Sequence, residues 1–166
     1  MNIIVCNDSR SDEFPEHFDW SQPDSQAKAK AKRMECSLDG GLCELLQKQG
    51  HIVEIFDGYQ DDCLTRITDA NVGASILAKR IRALPADGLV FDLNYFGDFN
   101  YGLNMLRHIR ELGMLRDNLI IVVYTHFKNE KDCDYPHKLI DELGIPKERV
   151  VDRLLVNMKN IPSFFR

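Results

Sequence analysis

Short apolar runs alternate along this chain with segments whose apolar residues recur every three or four positions. Residues 3–6, Ile-Ile-Val-Cys, open it as a strand, being β-branched and apolar. From about Gln26, Ala27, Ala31, Met34, Leu38, Leu42 and Leu45 return at helical spacing, which predicts a helix to about Gln49. Gly40-Gly41 should weaken or kink it, and Gly50 should end it, because glycine adopts positive φ freely. Residues 51–56 read as a second strand. A poorly patterned stretch, DGYQDDCLTRITDAN, leads into a helix marked by Val72, Ile76, Ile81 and Leu84 and stopped at Pro85.

Residues 88–92, ending on Asp92, form the third predicted strand. The next helix is striped by Leu103, Leu106, Ile109 and Leu112 and closed by Gly113. Residues 118–125, NLIIVVYT, are apolar on both faces, as a strand covered on both sides should be. A helix is expected over 136–143 with Gly144 as its cap, then a short strand over 149–151. The tail, LLVNMKNIPSFFR, leaves room for only a short helix before Pro162.

This is βα repeated five times, the last helix stunted. Such alternation predicts a doubly wound α/β domain: a five-stranded parallel sheet, flavodoxin-like, in the order 2-1-3-4-5, with helices on both faces. The 166 residues suit one domain, 1–166, with an extended loop at about 9–22 that carries Phe14, Phe18 and Trp20. Those aromatics are expected to pack back onto the domain.

Composition narrows the function classes. A formal net charge of -5 disfavours a general nucleic-acid binder. Lys28, Lys30 and Lys32 in AKAKAKR therefore read as a solvated helix face. No run approaches the ~18 apolar residues of a membrane span, and the N-terminus has no signal-peptide pattern. Five scattered cysteines without a CxxC pair point to a cytoplasmic protein with reduced thiols, not to a disulfide scaffold or a zinc site. His108, His126 and His137 have no ligand spacing.

In sheets of this kind ligands bind beyond the carboxyl ends of the strands, where strand order reverses. Asn7 and Asp8, then Asp92, Thr125, and Asp152 with Arg153, fall at that edge. Asp8 and Asp92, with a backbone carbonyl of the following loop, would suit Mg²⁺, a hard ion that takes oxygen ligands. A Thr125 hydroxyl would hydrogen-bond an anion carried on Asp92, and a cation from strand five would neutralise it. The plainer alternative stays open: Asp92 as a cap for loop amides, Asn7 and Asp8 as turn formers. No glycine-rich phosphate loop follows strand one, which disfavours a nucleotide-binding flavodoxin relative.

These residues make the sequence resemble the receiver domains of two-component response regulators. The likeness rests on IIVCND after strand one, LVFDLN at strand three, YGLNMLRHIR at the helix start and IIVVYT at strand four, and it spans nearly the whole chain. It implies Asp92 as phosphoacceptor; Asp8, Asp92 and the Asn94 carbonyl as Mg²⁺ ligands; Thr125 as the switch hydroxyl. The implied partners are a histidine kinase or phosphotransfer protein and an output protein of unknown identity, with no direct nucleic-acid or membrane contact. The domain would be a signalling module and not an enzyme, acting through protein contacts or as part of a longer chain. The sequence departs from the family after strand five, where it reads VVDRLL with no Lys-Pro, so that Arg153 is the nearest cation. His126 is bulky where the family has a small residue, and the loop after Asp92 is longer and lacks the usual proline. Those departures keep a second reading alive, a degenerate pseudo-receiver that only binds protein. A third, a strand-end-Asp phosphohydrolase of the haloacid dehalogenase type, would need a second acid where Asn94 stands. Tyr95, Phe96, Phe99 and Tyr101 are expected either to cover the site or to form a partner surface.

Overall fold

In a computed structural model of the chain, residues 1–7, 41–60, 65–93, 95, 98–115, 118–125, 141–152 and 158–166 are described. The β-branched runs form the strands: β1 (Asn2–Cys6), β2 (Ile52–Phe56), β3 (Gly88–Asp92) and β4 (Ile120–Thr125). All pair in parallel, in the spatial order β2-β1-β3-β4, which makes the chain an α/β protein with a flavodoxin-like arrangement. A three-residue strand, β5 (Val150–Asp152), runs along the outer edge of β4, with Val123 opposite Val150 and Thr125 opposite Asp152. It starts one residue later than the pattern suggests, because Arg149 closes a 3-10 turn, Lys147–Arg149.

Alternation sorts the strand side chains onto two faces. Ile4, Cys6, Phe56, Leu89, Phe91, Ile121 and Val123 pack beneath α2 (Ala70–Ala83) and α3 (Phe99–Glu111). Ile3, Val5, Val90 and Val122 face Leu42 and Leu46 of α1 (Leu42–Lys48) together with Ile161 and Phe165 of the C-terminal segment. With both faces covered, β1 and β3 are buried along nearly their whole length.

Helix ends follow local chemistry. The Asp69 carboxylate accepts from Asn71 N and Val72 N at the start of α2, and Asp98 accepts from Asn100 N at the start of α3. Gly50 and Gly113 take φ of 84° and 69°. Behind them His51 N donates to Leu46 O, and Met114 N to Ile109 O, closing two Schellman turns. Both helices stop where the glycines predict.

Two expectations are corrected. The helix expected from 26 to 49 does not run through the Gly40-Gly41 pair: Gly41 sits at φ 81°, outside the helical region, and α1 begins at Leu42, while residues 26–40 lie outside the described residues. The tail does not stop before Pro162. A 3-10 helix, Met158–Phe165, runs through it, held by burial of Ile161 and Phe165, which outweighs the one donor that proline lacks. Its Phe165 ring lies where a side chain on Gly88 would stand, 2.4 Å from that Cβ position. The loop at 9–22, the AKAKAKR lysines and most of 136–143 lie outside the described residues.

Gly102 has a tight environment: a Cβ there would lie 2.2 Å from the Leu93 carbonyl oxygen. The first turn of α3 is thus laid directly on the backbone that follows Asp92. Alanine in a helix normally gains up to about 1 kcal/mol over glycine. Here Gly102→Ala should instead lower stability by roughly 1–3 kcal/mol, as overpacking does. Urea denaturation checks this, and an unchanged or raised midpoint would show that the loop yields freely.

Candidate functional site at the carboxyl edge of the sheet

The strand register builds the site. Cys6 is paired with Phe56 on one side and Phe91 on the other, so the next residues along the three strands, Asn7, Asp57 and Asp92, stand side by side at one level. Asn7 N still donates to Phe56 O at 3.0 Å, which carries the ladder past the end of β1. Asn7, Asp57 and Asp92 are 1%, 7% and 3% exposed, and they are the buried polar or charged side chains among the described residues. All of them gather at the reversal between β1 and β3. Their alternation sets them opposite to Cys6, Phe56 and Phe91, on the face that carries α1.

A buried carboxylate must be hydrogen-bonded, paired or neutralised. Asp57 Oδ1 accepts from Tyr59 N at 3.2 Å, an Asx-type turn that begins just after β2. Two acids flanking one amide side chain are hard oxygen donors, the chemistry a divalent cation such as Mg²⁺ takes. Among the described residues no three His, Cys, Asp or Glu side chains converge on one point. Asp8, Asn94 and Arg153 lie outside the described residues. The backbone puts Thr125 at the end of β4, opposite Asp152, one step beyond the Asp92–Tyr124 pair. The site therefore brings Asp92 and Thr125 to the same edge on neighbouring strands.

Asp57 escaped the sequence reading, which placed it at the head of a poorly patterned stretch. The signal was present: IVEIFD ends on an acid just as GLVFD does, one strand-end carboxylate mirroring the other.

On the opposite face of the sheet, under α2 and α3, lies an aromatic floor. Tyr95 is fully buried, its ring 5.9 Å from Phe91, 6.4 Å from Phe56 and 5.6 Å from Tyr101. Its hydroxyl donates to Phe56 O at 3.2 Å, while Tyr101 donates to Ile67 O at 2.6 Å. The expectation that these tyrosines cover the site or face a partner is thus overturned. Burial of both rings, with each hydroxyl satisfied on a backbone carbonyl, makes them core. Cys6 shares this floor. Burial pushes its thiol far up, against the smaller pull of the Arg80 charge and a hydrogen bond with Tyr95, so it is no nucleophile. Arg80 secures the edge strand by donating to Ile55 O at 3.1 Å, its guanidinium 5.4 Å from the Phe56 ring. His108 is engaged with Glu111 on the surface at 3.1 Å.

Comparison with protein-family models, curated proteins and solved structures finds no match for this chain. No helix among the described residues is long and apolar enough to cross a membrane.

The Tyr101 hydroxyl is pushed up to about 12, first by burial and then by the Asp69 charge, with Arg66 opposing. Its folded value stands above the unfolded one of about 10. The stability it contributes is therefore complete below pH ~10 and is lost as pH rises toward ~12. At pH 9 Tyr101→Phe should cost about 1 kcal/mol, the worth of one hydrogen bond. The gap between wild type and variant should close between pH 10 and 12 in urea titrations; a constant gap would mean the hydroxyl does not hold Ile67.

Proposed function

We propose that this chain is a receiver-type signalling domain that accepts a phosphoryl group on Asp92 from a histidine kinase or phosphotransfer protein and changes its protein contacts in response. The observation that carries this reading is the row Asn7, Asp57 and Asp92, buried together at the strand-order reversal. Burial of acids at the edge where a parallel sheet presents its ligand crevice favours chemistry there over capping alone. In this reading β5 completes the sheet in the order 2-1-3-4-5, and the domain works in the cytoplasm without direct contact to nucleic acid or membrane.

An Asp92 carboxylate oxygen would attack the phosphorus of a phosphohistidine, forming the P–O bond as the P–N bond breaks and the imidazole departs with the electron pair. Asp8, Asp92 and the Asn94 carbonyl would hold Mg²⁺, which offsets phosphoryl charge when bound. The Thr125 hydroxyl would donate to a phosphoryl oxygen. Arg153 would supply the neutralising charge in place of the lysine that receivers carry after strand five. This is a module that stores a covalent mark and not an enzyme turning over a substrate.

A second reading is favoured by one feature, the absence of Lys-Pro in VVDRLL. An Arg153 guanidinium paired bidentately with Asp92 would hold the site closed without phosphate, because arginine stays charged at every accessible pH. The domain would then be a pseudo-receiver confined to one state.

Incubation with acetyl phosphate and Mg²⁺, followed by intact-mass measurement, separates the readings. The receiver reading expects one added phosphoryl group, abolished by Asp92→Asn and by chelation of the metal. Arg153→Lys should raise the extent of labelling. If wild type and Arg153→Lys both stay unlabelled, Asp92 is not a phosphoacceptor and the pseudo-receiver remains.

A further inference from the structure

A series of short-range contacts runs from Leu93, next to Asp92, to the start of α2. The Leu93 carbonyl accepts from Tyr95 N at 3.0 Å, and the same oxygen bears on Gly102 so closely that no Cβ would fit between them. Tyr95 reaches from the β3–α3 connection across the end of β1 to the Phe56 carbonyl, immediately before Asp57. Its ring lies near-parallel to that of Tyr101, at 29°. The Tyr101 hydroxyl, in the first turn of α3, ends the series on Ile67 O and stands 2.9 Å from where a Gly73 Cβ would be.

These contacts leave no slack. A shift of the Leu93 backbone must carry the first turn of α3 with it, since packed interiors transmit displacement instead of absorbing it. The same shift must move Tyr95 against Phe56 and Tyr101 against Ile67. Ile67 lies two residues before Asp69, the cap of α2, and Asp69 lines a groove between α2 and α3 with Asn71, Asn104, Arg107 and His108.

We propose that Tyr95 is a coupling strut that makes the β3–α3 connection, the end of β2 and the start of α2 respond as one unit to the charge on Asp92. The strut gives the domain a route to the α2–α3 groove that bypasses β4 and β5. It operates on the charge of Asp92 itself, so it does not depend on phosphate transfer.

The test is a double-mutant cycle read by amide hydrogen exchange over residues 67–73. Asp92→Asn, which removes the charge and keeps the shape, should change exchange there by roughly fivefold or more, the lower end of ordinary couplings between sites. In a Tyr95→Phe background, which keeps the ring and removes the hydroxyl, the same Asp92→Asn step should leave 67–73 unaltered. Tyr101→Phe should silence the response as well, and it carries the test alone if Tyr95→Phe does not fold. An Asp92→Asn effect of equal size with and without the hydroxyls, or no effect in the wild-type background, overturns the proposal. Coupling without acetyl phosphate labelling would remove the receiver reading and leave the strut. Labelling without coupling would do the reverse.

Discussion

Everything at the candidate site follows from the in-register ending of three parallel strands. β1, β2 and β3 pair at the same level through Cys6, Phe56 and Phe91, so the residues that follow must share one layer. That layer sits above a closed apolar core and beside the reversal of strand order. It is the place where a sheet buried on both faces can still admit polar groups. A slip of one residue in any of the strands would turn its terminal side chain to the other face and set a carboxylate against Leu77 or Leu106 instead. Register and site are one constraint.

The same constraint explains the aromatic floor. Polar groups held in a row need a rigid base, because a carboxylate that drifts by an ångström loses whatever it coordinates or attacks. Tyr95 supplies that base from the loop that follows Asp92, and its hydroxyl spends itself on a backbone carbonyl at the end of the neighbouring but one strand. The backbone just after Asp92, at Leu93, is also the backbone that Gly102 is pressed against.

Much of this architecture was legible in the sequence, for a physical reason. Strands buried on both faces must be continuous apolar runs, and GLVF and IIVVY are that. Glycines at positive φ end helices, and Gly50 and Gly113 did so. What was not legible depended on contacts distant in sequence. Tyr95 and Tyr101 stand in the polar segment NYFGDFNY, where only the carbonyls of Phe56 and Ile67, more than thirty positions away, reveal that their hydroxyls are satisfied inside. Gly41 carries apolar neighbours at perfect helical spacing, yet spacing says nothing about whether φ will be negative. Asp57 was hidden by the disorderly composition after it, though the strand before it held the answer.

The two carboxylates also differ in a way that bears on which would do chemistry. Asp57 follows β2, an edge strand, and is already drawn into a turn with Tyr59 N. Asp92 ends an inner strand, paired on both sides, and its successor Leu93 is clamped by Tyr95 and Gly102. An attacking or ligating oxygen needs a fixed position more than it needs exposure, since most of what a site contributes is orientation supplied in advance. Asp57 is placed to shape the field in the crevice, one amide side chain away. Asp92 is the group whose position the rest of the fold determines.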